Sequence, residues 1–380
     1  MLVYLATFMV SGILAALGSR FRRSGESNHL SYAFFALAVL LPSILAGCRD
    51  YSIGTDTNGY VRHLFATALN SRDIGQYITE QIDRYELGYL LLTFLSARIT
   101  PDMHFLLFLA EAIILSVMIV SIVRTSLGNG VGTAFSTYLI LHYNESFNLV
   151  RQSMAIAFIM LAVSYLLNKQ YGKYVISILV ATTFHSSGVI GLSFWVIEQL
   201  IGRDDECQTH QNLLNMKLSS ILADAALIVA PIVFAIAFQQ IMGFFIDCGL
   251  LSDKYEIYLS DRSTGIAPLL FGVYIASLLM LYLKRTEFKH GRFLTISYAY
   301  GVILFLLTGV SQHLWRLGTY FNTTISLSLA LFRTRTREEA FRTWVAKITI
   351  IGLSLIMWYM QIVVWGNHDT FPYQSAILGI

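Results

Sequence analysis

Long apolar runs alternate with short polar connections along most of the chain. Most of these runs approach the roughly 20 residues that an α-helix needs to cross about 30 Å of hydrocarbon. They predict membrane-spanning helices at residues 2–18, 30–47, 105–123, 130–147, 151–167, 219–242, 266–283, 293–309, 317–332 and 344–365. Arg20, Arg22 and Arg23 follow the first run directly, which favours a retained span over a cleaved signal peptide.

Two segments depart from this pattern. Residues 85–97 are apolar but too short to cross upright, so we predict an interfacial or re-entrant helix there. Residues 174–200 form a longer apolar stretch that the sequence FHSS, residues 184–187, interrupts. We predict an all-α polytopic membrane protein of about twelve transmembrane helices, within a range of about 11 to 14. Residues 1–380 are predicted to form a single integral membrane domain.

Composition supports a membrane protein and excludes several function classes. Of the 380 residues, 56% are hydrophobic and only 13% are charged, against about a quarter charged in soluble domains. The net charge of +3 is spread over the connections without a basic stripe, so no nucleic-acid partner is expected. The three cysteines form neither a CxxC pair nor a disulfide framework, although Cys48 and Cys248 allow a pairing on one side.

The positions of Lys and Arg predict the orientation. They cluster in short connections at residues 20–23, 124, 169–173, 202–218, 284–292 and 333–342, as the positive-inside rule expects of the cytoplasm. The outer side then receives residues 48–84, 148–152, 185, 243–265, 309–316 and the tail after 366. If residues 85–97 do cross the membrane, Asn148 and Arg151 change sides.

The segment CRDYSIGTDTNGY, residues 48–60, concentrates polar residues directly after the second apolar run. Gly54 and Gly59 permit tight turns, while Tyr51 and Tyr60 offer faces on which a sugar can stack. Taken alone, the segment is a polar turn. It opens the longest connection, residues 48–84, and long loops in compact proteins are often functional.

Three further polar positions lie at the predicted outer boundary. Arg151 opens an apolar run and can be a snorkelling arginine, and His185 can be a satisfied core histidine at a helix break. Arg316 shares one helical face with His313 and Tyr320. Charged groups are costly within hydrocarbon and usually face a cavity or a partner. Together with Arg49, these residues indicate an outer site for an anion.

A lipid-linked diphosphate is the phosphate found at that depth, and guanidinium groups match phosphate oxygens in bidentate geometry. In glycosyl transfer from such a donor, the leaving group is already a weakly basic anion, so charge stabilisation replaces the acid catalyst. The acceptor hydroxyl still needs a base, for which Asp56 and His185 are candidates. Arg49 either binds phosphate or pairs with Asp50 or Asp56 to shape the loop.

The sequence lacks a Walker A motif, an HExxH motif and the Cys/His spacing of a zinc site. Asp50 and Asp56 can hold a divalent ion through carboxylate oxygens. We nevertheless expect a metal-independent protein without a cofactor.

Five ordered motifs carry a resemblance to a known family. They are RDYSIGTDT, residues 49–57, followed by Tyr60; YELG, residues 85–88; NLVRQ, residues 148–152; FHSS, residues 184–187; and Arg316 with Tyr320 and Phe321. In order and spacing this set resembles the EpsG-like group of Wzy-type polysaccharide polymerases, and the tail sequence FPY, residues 371–373, is also similar.

The resemblance implies a glycosyltransferase C-like fold acting on the periplasmic face of a bacterial inner membrane. It implies transfer of a growing glycan from undecaprenyl diphosphate to the non-reducing end of another lipid-linked repeat unit. The partners implied are undecaprenyl-diphosphate-linked oligosaccharides, membrane lipid, and a chain-length regulator and flippase of the same pathway. Residues 48–84 become the main periplasmic loop, 243–265 the second, and 202–218 a cytoplasmic linker.

The same resemblance implies the site residues. Arg151 and Arg316 are expected to bind the diphosphate, and Asp56 or His185 to act as base. Substrate-binding or supporting roles fall to Arg49, Tyr60, Glu86, Asn148, Gln152 and Tyr320. The alternatives are an O-antigen ligase-type glycosyltransferase, a lipid-linked glycan flippase and a non-catalytic scaffold. A flippase is expected to carry cationic residues along its whole path and repeated halves.

Overall fold

The computed structural model describes residues 1–25, 27–126, 130–201, 227, 229–248, 268–311, 313–332 and 336–380. Its regular structure in these ranges is helical. The helices are α1 Leu2–Ser24, α2 Asn28–Cys48, α3 Arg62–Asn70, α4 Ile74–Gln81, α5 Leu87–Ile99, α6 Met103–Thr125, α7 Val131–Ser146, α8 Val150–Leu166, α9 Tyr171–Phe184, α10 Leu192–Ile201, α11 Val229–Ile236, α12 Phe238–Asp247, α13 Pro268–Lys284, α14 Gly291–Leu306, α15 Leu314–Asn322, α16 Thr324–Leu331 and α17 Arg337–Trp358.

Five helical segments in the described part of the chain are long and apolar enough to cross a membrane: α1, α2, α6, Gly291–Gly309 and Arg337–Val364. A sixth is obtained if α11 and α12, which are bent by 56° at their junction, count as one span. A membrane-embedded all-helical protein is therefore confirmed. The expected count of about twelve spans is not confirmed, since several predicted spans form helices of fewer than 18 residues.

Several predicted boundaries were wrong. The predicted span 317–332 is two short helices, α15 and α16, which are interrupted at Thr323. The hydroxyls of Thr323 and Thr324 donate to backbone carbonyls of the preceding turn. Such hydrogen bonds from side chain to backbone weaken helices. The predicted loop 243–265 begins too early, since α12 continues to Asp247, and the last predicted span starts at Arg337 rather than 344.

Other predictions held. The FHSS break was confirmed: α9 ends at Phe184, a 3₁₀ turn covers Ser186–Gly191, and α10 follows. The apolar segment at 85–97 is the 13-residue helix α5, about 20 Å long at 1.5 Å per residue. Cys48 and Cys248 are free thiols.

The linker 202–218 with Cys207, most of loop 243–265, and Arg333 and Arg335 lie outside the described residues.

The described residues fall into two compact units. The first comprises Met1–Gly191 and Leu329–Ile380, and the second comprises Leu192–Ser328. Within the second unit, α14 packs against α10, α13 and α15. The expectation of one membrane domain stays a prediction.

Helix packing in the first unit brings distant motifs together. Helix α1 packs on α2 and α7, α2 packs on α6, and α8 packs between α6 and α9. Helix α5 contacts α3, α6 and α9, while α17 lies against α7. This order places the ends of α2, α5, α8 and α9, where four of the five motifs lie, within one unit.

The connection at 48–84 is helical rather than an open loop. A π-helical turn at Thr57–Val61 leads into α3, and α4 follows. Gly54 does adopt a left-handed conformation, with φ +87°, and a Cβ there would lie 2.7 Å from the Phe147 carbonyl oxygen. Gly59 lies inside the π-helical turn, so the second predicted tight turn was wrong.

The tail after α17 packs on other parts of the first unit. Tyr4, Phe8, Tyr143, Trp358 and Tyr373 form a cluster of edge-to-face aromatic contacts. The Tyr373 hydroxyl donates to the Leu45 carbonyl at 2.8 Å, and Tyr4 donates to the Thr370 carbonyl at 2.7 Å. The tail is thereby fixed beside the end of α2, where the first motif begins.

Candidate functional site

The Arg151 guanidinium is the centre of a cluster in the first unit. Its Nη1 donates to Glu86 Oε2 at 2.5 Å, and the two side chains are 19% and 15% exposed. Its Cζ lies 4.7 Å from the ring centroid of Tyr60 and 5.0 Å from that of Tyr85, within the range of a cation–π contact. The two rings stack on each other at 5.5 Å. Arg151 is thus held by one carboxylate and two aromatic faces.

Glu86 reaches this position because α5 approaches α9 closely. Glu86 immediately precedes α5 and has an extended backbone. At Gly88, two residues later, a Cβ would lie 2.6 Å from Thr183 Oγ1 and 2.8 Å from the Thr183 carbonyl oxygen. Only glycine permits this approach, which explains the spacing of Glu86 and Gly88 in the YELG motif.

Glu86 connects Arg151 to the FHSS break. Its second oxygen, Oε1, accepts a hydrogen bond from the backbone N–H of Ser186 at 3.1 Å. Burial by itself raises the pKa of Glu86, but Arg151, His185 and the Ser186 N–H lower it, and the net pKa lies below its ordinary value. The carboxylate is therefore ionised at neutral pH.

The hydrogen bonds of His185 indicate its tautomer. Its Nδ1 lies 2.7 Å from Ser187 Oγ and 3.3 Å from the Ser187 backbone nitrogen. A backbone N–H can only donate, so Nδ1 accepts, and the proton of the neutral ring is assigned to Nε2. In this state His185 presents a donor, rather than a basic lone pair, at Nε2.

The side chain of Asp56 lies beside the N-terminus of α8. Its Oδ2 accepts a hydrogen bond from the backbone N–H of Val150, the first residue of that helix, at 3.3 Å. The N–H groups of a helix N-terminus carry partial positive charge and favour an ionised carboxylate. Burial raises the pKa of the Tyr60 hydroxyl, Asp56 raises it further and Arg151 opposes the shift. Asp56, Tyr60 and Arg151 therefore share one electrostatic environment.

Asn148 and Gln152 flank Arg151 but are buried, at 8% and 3% exposure. Asn148 Oδ1 accepts from the Thr55 N–H at 2.7 Å, and its Nδ2 lies 3.0 Å from His368 Nδ1. Asn148 thus connects the first motif to the tail and has a structural role in the site.

Arg49 is buried, with 2% exposure. It donates to the Ala46 carbonyl at 2.7 Å and to Thr57 Oγ1 at 3.3 Å, and its Cζ lies 3.9 Å from the Phe147 ring centroid. Within the described part of the chain its guanidinium has no carboxylate within 4 Å. This placement favours the structural alternative for Arg49, through Thr57 rather than through Asp50 or Asp56.

Arg316 and Tyr320 belong to the second unit, on α15. The Arg316 Cζ lies 5.7 Å from the Trp315 ring centroid. Tyr320 is fully buried, so its ring offers no face to a sugar in this conformation. Asp56, Tyr60, Glu86, Asn148, Gln152, Arg151, His185 and Arg49 all belong to the first unit.

Residues beyond those predicted also take part. Tyr85 supplies the second aromatic face for Arg151, Ser187 fixes the His185 ring, and His368 contacts Asn148. Tyr89, from α5, packs its ring edge-on to Tyr60 at 6.0 Å. Tyr85 and Ser187 lie inside quoted motifs, so the motifs themselves carried the signal. His368 lies two residues after Gly366 in a tail without periodicity, and no sequence pattern predicts its contact with Asn148.

Among the described residues, no group of three or more His, Cys, Asp or Glu side chains is arranged to hold a metal ion. The cluster instead consists of guanidinium, carboxylate, imidazole and phenol groups. Such a set can bind an anion, accept a proton and donate hydrogen bonds.

Comparison with known proteins gives a match to a protein family. The model of the EpsG family matches residues 32–375, which contain all five motifs and most of the tail. No curated protein and no solved structure matches the chain.

Proposed function

This chain belongs to the EpsG family of Wzy-type polysaccharide polymerase-like proteins, and we propose that it joins lipid-linked oligosaccharide repeat units into a polysaccharide. The family and the apolar helices make it a membrane-embedded, glycosyltransferase-like polymerase of polysaccharide biosynthesis. The substrate we propose is an oligosaccharide on undecaprenyl diphosphate, and the proposed location is the periplasmic face of a bacterial inner membrane. A glycosyltransferase C-like fold is part of the same proposal.

The arrangement of Arg151 carries this proposal. Its guanidinium is bound by the Glu86 carboxylate and covered by the Tyr60 and Tyr85 rings. A carboxylate and a phosphate oxygen make similar charge-assisted bonds to a guanidinium. In the proposed complex, a phosphate of the donor takes hydrogen bonds from Arg151 while Glu86 keeps its bond to the Ser186 N–H.

The proposed reaction forms one glycosidic bond to the acceptor and breaks the glycosyl–phosphate bond of the donor. The acceptor hydroxyl oxygen attacks the anomeric carbon of the donor glycan, and the bond from that carbon to the diphosphate oxygen breaks. The electron pair leaves with the diphosphate, whose charge Arg151 stabilises. The products are the elongated lipid-linked glycan and undecaprenyl diphosphate.

The hydrogen bonds support a division of roles between the two base candidates. Asp56, at the N-terminus of α8, is favoured in the ionised form that accepts a proton, so we assign it the acceptor proton. His185, with Nδ1 occupied by Ser187, is assigned to donate through Nε2 to the diphosphate. Tyr60 is proposed to contact the sugar at the edge of the Arg151 cluster.

The remaining assignments are also proposals. Diphosphate binding by Arg316 stays a prediction from the sequence, and polymerisation by Arg316→Lys tests it separately. Metal independence predicts that chelation leaves polymerisation unchanged. A chain-length regulator and a flippase of the same pathway are the proposed protein partners.

Glycan profiles of a bacterial strain that lacks the gene provide the test. A polymerase deletion leaves single repeat units transferred to the final acceptor, and complementation restores the long-chain ladder. A deletion that leaves lipid-linked polymer without transfer identifies a ligase instead and contradicts the proposal. A deletion in which lipid-linked repeats accumulate on the cytoplasmic side identifies a flippase.

A further inference from the structure

We infer that His368, in the tail after α17, is a positioning residue that holds the Asp56 segment in register through Asn148. This inference rests on the proposed function, because it gives Asp56 its place as base. His368 lies far along the chain from both residues, in a tail to which the proposed reaction assigns no role. The contacts that connect them are all within the first unit.

The tail and Asn148 satisfy consecutive backbone groups just before Asp56. The Gly54 N–H donates to the Asp369 carbonyl oxygen at 3.1 Å. The Thr55 N–H donates to Asn148 Oδ1 at 2.7 Å. On its other side, Asn148 Nδ2 lies 3.0 Å from His368 Nδ1. The backbone that leads into Asp56 is therefore held by two bonds, one to the Asp369 carbonyl oxygen and one to Asn148, whose amide nitrogen contacts His368.

The direction of these bonds is fixed by chemistry. Because the Thr55 N–H can only donate, the amide oxygen of Asn148 faces Thr55 and its NH₂ group faces His368. His368 Nδ1 is therefore the acceptor in this contact. This series of contacts from residue 368 through Asn148 to Thr55, here called the relay, needs a hydrogen-bond acceptor at the δ position of residue 368.

The backbone of the tail is adapted to present that acceptor. His368 and Asp369 have φ values of +76° and +49°, in the left-handed region that non-glycine residues rarely occupy. Such conformations cluster at functional sites and persist only where surrounding contacts impose them. The next residue, Thr370, supplies these contacts, since its carbonyl accepts from Tyr4 and its hydroxyl accepts from Asn144 Nδ2.

Two substitutions at position 368 separate the hydrogen bond from the backbone conformation. Asparagine tolerates positive φ and places an acceptor oxygen where His368 has Nδ1, so His368→Asn keeps both features. Glycine tolerates the same φ but has no side chain, so His368→Gly keeps the conformation and removes only the acceptor. Both variants are expected to fold.

The experiment combines amide hydrogen exchange with polymerisation by the purified full-length protein, using a lipid-diphosphate-linked oligosaccharide as substrate. We expect exchange at Thr55 to be about fivefold faster in His368→Gly, with a shorter glycan ladder, while exchange at Gly54, whose N–H donates to the backbone carbonyl of Asp369, stays unchanged. We expect wild-type values of both in His368→Asn.

Unchanged exchange at Thr55 in His368→Gly overturns the relay, and faster exchange there with a wild-type ladder overturns the positioning role. Failure of His368→Asn to restore the ladder also overturns it, because the acceptor is then insufficient. If the wild-type protein makes no ladder, the proposed function is wrong, and the role assigned to His368 in polymerisation is wrong as well. The exchange data then still report whether the contact itself exists.

Discussion

Arg151 and Glu86, 65 positions apart in the sequence, form an ion pair in which Nη1 lies 2.5 Å from Oε2. The pair joins the start of α8 to the start of α5, and Glu86 extends it to Ser186 beside the FHSS break. Three of the motifs thus meet through one carboxylate. This relationship explains why Glu86, a residue without an obvious role in a polar turn, belongs to the site.

The first prediction concerns the acid stability of this pair. The pKa of Glu86 is lower in the folded protein than its ordinary value of 4.5, so its contribution to stability is complete above pH about 4.5. That contribution is lost as the pH falls through the lower, folded pKa. We expect Glu86→Gln to lower the unfolding free energy at pH 7 by about 2 kcal/mol.

Thermal unfolding of the detergent-solubilised protein between pH 7 and pH 3 measures this effect. The difference between wild type and Glu86→Gln should shrink toward the acid end. A difference that is constant over the whole range contradicts the assigned ion pair. Glu80→Gln, in the exposed part of α4, serves as a matched carboxylate control.

The second prediction concerns the approach of α5 to α9. An added methyl group in Gly88→Ala would meet both the hydroxyl and the carbonyl oxygen of Thr183, so α5 must shift and carry Glu86 away from Arg151. We expect polymerisation to fall at least about tenfold, with a normal amount of protein in the membrane. Gly172→Ala in α9, where no atom lies within 4 Å of the new Cβ, should behave as wild type. Equal activity in both variants would show that the close approach is unnecessary.

The third prediction separates a structural arginine from a substrate-binding one. Arg49 is buried against Phe147 and Thr57, and burial lowers the pKa of its guanidinium. Arg49→Ala should lower the unfolding free energy by about 3 kcal/mol and reduce the amount of folded protein. The exposed Arg62→Ala should change neither. Normal stability with loss of substrate binding in Arg49→Ala would restore the phosphate-binding alternative.

The fourth prediction concerns the aromatic faces on Arg151. Tyr60→Phe and Tyr85→Phe keep the rings and should retain most activity, whereas Tyr60→Ala removes a face at 4.7 Å from the guanidinium. A desolvated cation–π contact contributes about 2 kcal/mol, so we expect Tyr60→Ala to weaken donor binding by about 30-fold. Titration of the purified protein with lipid diphosphate measures the Kd. If Tyr60→Phe is as weak as Tyr60→Ala, the hydroxyl and not the ring is responsible.

The sequence predicted the helical class, the break at FHSS and the short helix near residue 85, because hydropathy and length report directly on helix burial. It predicted the span at 317–332 incorrectly, and it predicted no helices within the loop at 48–84. In the first case, the helix is interrupted at Thr323, whose hydroxyl makes a local hydrogen bond that hydropathy ignores. In the second, the modestly apolar α3 and α4 form because they pack on α5, a tertiary effect.

The candidate site was recoverable from the sequence only in part. Ordered motifs indicated Asp56, Arg151, Glu86 and His185, which the first unit holds together. Burial of Arg49 and Tyr320 could not be inferred, since an arginine or tyrosine beside an apolar run has the same pattern whether it faces a cavity or the core. The tail contact of His368 with Asn148 depends on the fold alone.

We propose that Arg151 stabilises the departing diphosphate, and this role is measured most directly by the initial rate of chain extension by purified protein on a lipid-diphosphate-linked repeat unit. Arg124 is the matched control, because it also lies over a tyrosine ring and bonds a polar side chain, Gln170. We predict that Arg151→Lys slows extension by about 100-fold while Arg124→Lys retains the wild-type rate. Extension by Arg151→Lys at the wild-type rate would contradict the account.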